Sequence, residues 1–330
     1  MSAMTSPTLV VEGLRTAFST RAGVVKAVDD VSFSVKRGEI MGLVGESGSG
    51  KSMTGYSMLG LVDPPGRVVG GKVLLTQRSG EQIDLLQLSP RALQRVRGNR
   101  VAMIFQDPMM TLNPVLRIDT QMVEAIRAHH DVSFGAARER AAAALAAVGI
   151  ASPHARLLAY PHQFSGGMRQ RVAIAIALLN QPDLIIADEP TTALDVTIQG
   201  QILAEMQALC RESGTALIWI THDLSVVAGL ADTVSVMYAG RIVEQGAVAD
   251  VLEAPSHPYT RGLIASAPSR NVRGRPLAQI PGMTPSLLAL PPGCAFQERC
   301  GRRAAACSAA PPLTQLGERQ LRCFHPFQPA

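Results

Sequence analysis

The sequence predicts an α/β protein built on a largely parallel core sheet, with a short cysteine-rich C-terminal extension. Three observations carry this reading. Short apolar runs alternate with longer segments of helical spacing, the pattern of strand–helix–strand units stacked side by side. The clearest runs, Ile40–Val44, Leu184–Ala187 and Ala216–Ile220, contain almost no polar residue, as strands buried on both faces do. From about Pro268 the Pro, Gly and Arg content rises and periodicity fades. That places a boundary between a main body over 8–270 and an extension over 271–330.

Leu9–Val11 opens the first strand, and Val31–Val35 alternates apolar and polar residues with period two, as a half-exposed strand does. Lys36–Glu39 is a turn leading into Ile40–Val44. Residues 53–61 read as a helix and 68–88 as further strands with glycine turns. Residues 119–149, rich in Ala, Glu and Arg, predict a helical stretch stopped by Gly149. A helix over 168–180 is closed by Gln181-Pro182. Leu184–Ala187 is a strand, Val196–Ser213 a helix, and Ala216–Ile220 and Val234–Tyr238 are strands. There is no internal repeat and no heptad run.

At 330 residues and 47% hydrophobic content the chain can bury a substantial core, so wholesale disorder is excluded. The longest apolar stretch, Ala141–Ala151, falls well short of a membrane span. Met1–Pro7 has no basic region followed by an apolar one, so no secretory signal is expected. A cytoplasmic location follows, where clustered cysteines serve as metal ligands more often than as disulfides. The formal net charge is +5. Residues 1–270 carry 24 Lys/Arg and 24 Asp/Glu, so the extension, with seven Arg and two Glu, holds the whole excess. A neutral body and 4% aromatics argue against a nucleic-acid surface.

Gly45-Glu46-Ser47-Gly48-Ser49-Gly50-Lys51-Ser52 fits G-x-x-x-x-G-K-[ST] between a buried strand and a helix, which is the context a phosphate loop requires. Its glycines let successive N–H groups curl around phosphate oxygens, and the helix that follows offers its positive end to the same anion. Lys51 can reach the β- and γ-phosphates, and the Ser52 hydroxyl can ligate Mg²⁺. The bland alternative is a chance glycine-rich turn. Only four lysines occur in the chain, so a Lys at this position has a reason to be Lys.

Leu184–Ala187 runs into Asp188-Glu189-Pro190, which delivers two carboxylates to the sheet edge where ligands of open α/β sheets sit. Asp188 suits the Mg²⁺ shell, and Glu189 suits the general base that polarises the attacking water. The alternative is a pair of solvated loop acids. Phe164-Ser165-Gly166-Gly167-Met168 precedes a second helix and reads as a second anion-binding terminus. Two phosphate cradles make sense if the second serves the nucleotide of a neighbouring chain.

With these elements in this order, residues 8 to about 265 resemble the ATP-binding subunits of ABC transporters. The resemblance implies a P-loop ATPase cassette with a RecA-like parallel core sheet, an antiparallel β subdomain and a helical subdomain over about 107–165. It implies ATP and Mg²⁺ sandwiched between the phosphate loop of one subunit and Ser165, Gly166 and Gly167 of another. Met168 stands where the family consensus has Gln. Gln106, in Phe105-Gln106-Asp107-Pro108, matches the glutamine that touches Mg²⁺ and the attacking water. Asp195 matches the aspartate at the dimer seam, and His222 the histidine that contacts the γ-phosphate. Phe18 stands about where the family places an aromatic against adenine.

Cys294, Cys300, Cys307 and Cys323 crowd the extension. No C-x₂₋₄-C knuckle occurs, as a structural zinc site would usually show, whereas an iron–sulfur cluster accepts varied spacing. Cluster, zinc and free thiols all stay open on the residues alone. His257-Pro258-Tyr259-Thr260, Ile280-Pro281-Gly282, Pro292-Gly293-Cys294 and Arg299-Cys300 resemble the C-terminal extension of the oligopeptide/dipeptide branch. Some members of that branch hold a [4Fe-4S] cluster there, which would make the extension's arginines counter-charges to it; otherwise they are solvated or face lipid or a partner. Cys210 reads as an ordinary small apolar residue.

The resemblance implies the motor of an importer at the cytoplasmic face of the cell membrane. Its partners would be a second ATP-binding chain (a paralogue or a copy), two transmembrane permease subunits and an extracytoplasmic substrate-binding protein, with no nucleic acid. Import of nickel or glutathione is the alternative cargo reading. An ABC ATPase acting on nucleic acid, or a GTPase-like switch, would need heptads, a second cassette or an Asn-Lys-x-Asp reader, all absent.

Overall fold

The computed structural model describes residues 6–191, 196–271, 274 and 276–328. β1 (Leu9–Thr20) and β2 (Gly23–Val35) form a long antiparallel hairpin, which β4 (Gly66–Thr76) and β5 (Gln82–Asp84) extend to a four-stranded sheet. Only the two ends of the hairpin stand out in the sequence. Bulges between Val11 and Leu14, Leu14 and Thr16, and Thr16 and Ala17 break the period-two pattern, because each shifts which face the next side chain takes.

The second sheet has eight strands. β6 (Val101–Ile104), β7 (Leu184–Asp188), β8 (Ala216–Thr221), β3 (Ile40–Val44) and β9 (Thr233–Tyr238) lie side by side and parallel. β10 (Arg241–Ala247), β12 (Arg319–Leu321) and β11 (Thr314–Leu316) continue it antiparallel. Every residue of β3, β7 and β8 is buried, as the apolar runs predict.

The helices are α1 (Lys51–Met58), α2 (Pro90–Val96), α3 (Ile118–Arg127), α4 (Phe134–Ala147), α5 (Pro153–Leu157), α6 (Gly166–Leu178), α7 (Val196–Ser213), α8 (Leu224–Leu230), α9 (Val248–Glu253) and α10 (Pro258–Ala265). The helical stretch expected over 119–149 is two helices. Ser133 has extended backbone, and its Oγ accepts from the Ala136 N–H at 3.2 Å, so a new helix is capped there.

The core has three parts. One face of the parallel sheet packs Ala102, Ile185 and Trp219 on α3, α4, α6 and α7. The other packs Met41, Ile186 and Ile218 on α1 and the antiparallel sheet. A third cluster joins β9, β10, α8 and α10 to the extension through Tyr238, Tyr259 and Phe296, whose rings meet at 4.6–5.4 Å between centroids.

The extension is therefore part of the main sheet and core, and its arginines behave accordingly. Arg299 pairs with Glu46, Arg319 with the fully buried Glu244, and Arg322 with Asp30. Three of the seven thus neutralise carboxylates of the neutral body, and the expectation that they serve as counter-charges to a cluster fails for them. Arg302 lies over the Phe327 ring. Removing one partner of a buried pair leaves the other charge uncompensated. Arg319→Ala is expected to lower stability by about 3 kcal/mol, and Arg303→Ala, on an exposed side chain, by no more than about 0.5 kcal/mol. Denaturant unfolding of both variants checks this, and equal effects would contradict it.

Candidate functional site

The site forms where three buried strands end. β3 ends at Val44 and the chain turns through Gly45–Gly50 into α1. Gly45, Gly48 and Gly50 have φ of 154°, 76° and 102°, in the left-handed range where a Cβ is strained. Space is short as well. A Cβ on Gly45 would lie 2.2 Å from the Met237 carbonyl oxygen, and one on Gly50 2.3 Å from that of Ala27. The loop can curl this tightly only with glycine at both points.

Lys51 is 5% exposed. Its Nζ donates to the carbonyls of Gly45 at 2.9 Å and Glu46 at 3.0 Å. Burial lowers its pKa, and the nearby Glu189, Asp188 and Glu46 carboxylates pull the other way. Ser52 Oγ donates to Asp188 Oδ1 at 2.8 Å. Asp188, at the end of β7, is buried, and this burial raises its pKa; Ser52 and Lys51 oppose the shift. Tyr56 also bonds Asp188. The sequence reading missed Tyr56, although it sits one turn from Ser52, on the same helix face.

Glu189 follows with φ of 43°, an uncommon conformation for a residue with a side chain. Its N–H donates to the Ile220 carbonyl at 2.9 Å. Its carboxylate accepts from Gln106 Nε2 at 3.4 Å and lies 3.1 Å from His222 Nδ1. Gln106, Asp188, Glu189, His222, Lys51 and Ser52 thus converge from β6, β7, β8 and α1, and hard oxygen donors stand beside a buried cation. This arrangement can bind a polyphosphate with a divalent cation and hold a carboxylate beside the attacking water.

Glu46 departs from its loop neighbours. Its N–H donates to Tyr259 Oη at 2.8 Å, and its carboxylate is gripped by Arg299. Ser165 caps α6 through its Oγ, which accepts from the Met168 N–H. Ser165, Gly166 and Gly167 open on a pocket lined by Gly149, Arg156 and Arg171, with no residue of the phosphate loop. Phe18 lies on β1, with its ring against Gly66 and next to Val62. Asp195 lies outside the described residues.

Cys294, Cys300, Cys307 and Cys323 line one small pocket with His257, Phe296 and His325. Burial raises the pKa of the Cys294, Cys300 and Cys323 thiols, that of Cys323 to about 11. Among the described residues no three His, Cys, Asp or Glu are grouped to hold a metal ion. Cys210 is fully buried and its thiol is pushed up to about 12, which suits the inert apolar role expected of it.

Together the glycine loop, the buried lysine and the acid pair define a P-loop nucleoside triphosphatase. The comparisons make this narrower: the chain belongs to the ABC transporter family and is one of its ATP-hydrolysing subunits. The family "ABC transporter" matches residues 28–192, and "Oligopeptide/dipeptide transporter, C-terminal region" matches 243–307. The oligopeptide transport ATP-binding protein OppD of Escherichia coli is 48% identical over 321 residues, 97% of this chain and 94% of that protein. The dipeptide transport ATP-binding protein DppD of Bacillus subtilis is 47% identical over 305 residues, 92% of this chain and 90% of that protein. Among solved structures, a dimeric ATP-binding cassette in a post-hydrolysis state with ADP and Pi is 25% identical with a TM-score of 0.64, and covers 73% of this chain and 98% of its own.

The loop geometry separates two glycines. A Cβ on Gly48 meets nothing within 4 Å. Gly50→Ala is expected to cost at least about 100-fold in ATP affinity and Gly48→Ala less than about tenfold, as titration with a fluorescent ATP analogue would show.

Proposed function

We propose that this chain is the ATP-driven motor of an importer of di- and oligopeptides. It works at the cytoplasmic face of the membrane, paired with a second ATP-binding chain and coupled to two permease subunits fed by an extracytoplasmic binding protein. Nucleic acid plays no part. The observation that carries the pairing is the separation of Ser165–Gly167 from the phosphate loop: the second cradle is exposed and needs a nucleotide from another chain. Among the described residues no helix is long and apolar enough to cross a membrane. The peptide cargo is supported by the matched C-terminal region and by the relatives' names.

In this reading the N–H groups of Ser47–Ser52 and the Lys51 ammonium bind the phosphates of ATP. Ser52, Asp188 and Gln106 would hold Mg²⁺, which screens phosphate charge when bound. Glu189 takes the proton of the attacking water. His222, against the same carboxylate, meets the γ-phosphate. Phe18 stacks on adenine, and Asp195 serves the dimer seam. The four extension thiols would hold a [4Fe-4S] cluster. In support, all four line one pocket, and cluster thiolates sit on separate irons, so they need not group as ligands of one ion do. A cluster would supply the positive charge that buried thiolates require.

Glu189→Gln in the assembled complex is expected to keep ATP binding while turnover falls at least about 100-fold; full turnover would overturn the assignment of the base. Stimulation of the ATPase by a nickel-loaded rather than a peptide-loaded binding protein would overturn the cargo. Anaerobic purification should give absorbance at about 400 nm with iron and sulfide, and zinc without iron would reject the cluster.

A further inference from the structure

The phosphate loop carries a carboxylate at its second position, Glu46, and that carboxylate does not face solvent alone. Arg299 Nη1 donates to Glu46 Oε2 at 2.7 Å and Nη2 to Oε1 at 3.0 Å, a bidentate fork of the strong, orienting kind. Thr284 Oγ1 donates to Oε2 at 2.8 Å. Arg299 is itself fixed: its Nε donates to the Pro281 carbonyl at 3.0 Å, its Nη1 lies 3.4 Å from Tyr238 Oη, and the residue is 7% exposed. The Glu46 N–H is accepted by Tyr259 Oη, and the Glu46 carbonyl in turn accepts from Lys51 Nζ. Residues more than 200 positions away thus hold both ends of a loop residue whose backbone positions the phosphate-binding lysine.

We infer that Arg299 is a positioning residue for ATP: it neutralises Glu46 and turns its carboxylate away, so that the loop presents net positive charge to the phosphates. The reason is electrostatic. An unpaired carboxylate in the loop would repel the phosphates and compete for the Lys51 ammonium, and in a partly buried loop that interaction is weakly screened. Arg299 acts through Glu46, whose carboxylate it holds by both Nη atoms. The inference rests on ATP binding at this loop, and its test separates the two.

The full-length chain is titrated with a fluorescent ATP analogue, and the ATPase of the assembled complex is measured, for R299A, R299K, E46Q, R299A/E46Q and K51A. R299A is expected to raise the Kd and KM for ATP about tenfold, with a smaller fall in kcat. E46Q removes the offending charge and is expected to lose less. The double variant R299A/E46Q should recover most of the affinity, and R299K part of it. If R299A/E46Q binds as weakly as R299A, Arg299 acts only through the fold of the extension and the inference falls. Unchanged ATP affinity in R299A also overturns it. Intact binding in K51A would instead overturn the nucleotide site, and this inference with it. A thermal melt of R299A/E46Q, folded yet weak in binding, would likewise count against the charge argument.

Discussion

Everything reactive here depends on the register of three buried parallel strands. β3, β7 and β8 pair so that Val44 lies opposite Thr221 and Asp188 opposite Ile220. The phosphate loop, the acid pair and His222 therefore sit at or just beyond three strand ends at one level. A slip of one residue would reverse every side chain of a strand, sending Asp188 away from Ser52. Burying Asp188 and Lys51 is costly for each alone. They lie near each other, and the Ser52 hydroxyl and two loop carbonyls satisfy their hydrogen bonds. The strands also constrain Glu189, whose left-handed backbone turns its carboxylate out of the sheet toward Gln106 and His222.

Charge is managed by locality. The body is neutral by count and the extension strongly positive, yet the extension spends much of that excess on carboxylates of the body. Asp30 on β2, Glu244 on β10 and Glu46 in the phosphate loop each receive an arginine from beyond residue 290. The high overall charge thus says little about partners and more about how the tail is tied to three separate elements.

Much of the site is legible in the sequence because its chemistry is local. The loop, the acids after Ala187, Ser165 before α6 and His222 after β8 are each set by a few adjoining residues. Apolar runs of strand length mark β3, β7 and β8 for the same reason. What escapes is non-local or irregular. The bulged middle of β1 has no steady alternation. The break between α3 and α4 rests on Ser133, which a helical composition on both sides conceals. Tyr56 needs the helix face to be drawn before it points at Asp188. Arg299, Thr284 and Tyr259 reach Glu46 across 253, 238 and 213 positions, and no spacing rule connects them. The short strands β11 and β12 gain their identity by pairing onto β10, since three residues apiece carry no period of their own.

The Glu46–Arg299 contact also bears on inheritance. A tail exchanged between two cassettes by recombination near residue 270 would bring its buried guanidinium to a loop with a different second residue, or leave a loop glutamate without its cation. Either chimera carries an unpaired charge at the most constrained point of the fold. The phosphate loop and the distant tail are therefore expected to descend as one unit, with residues 46 and 299 changing together or not at all.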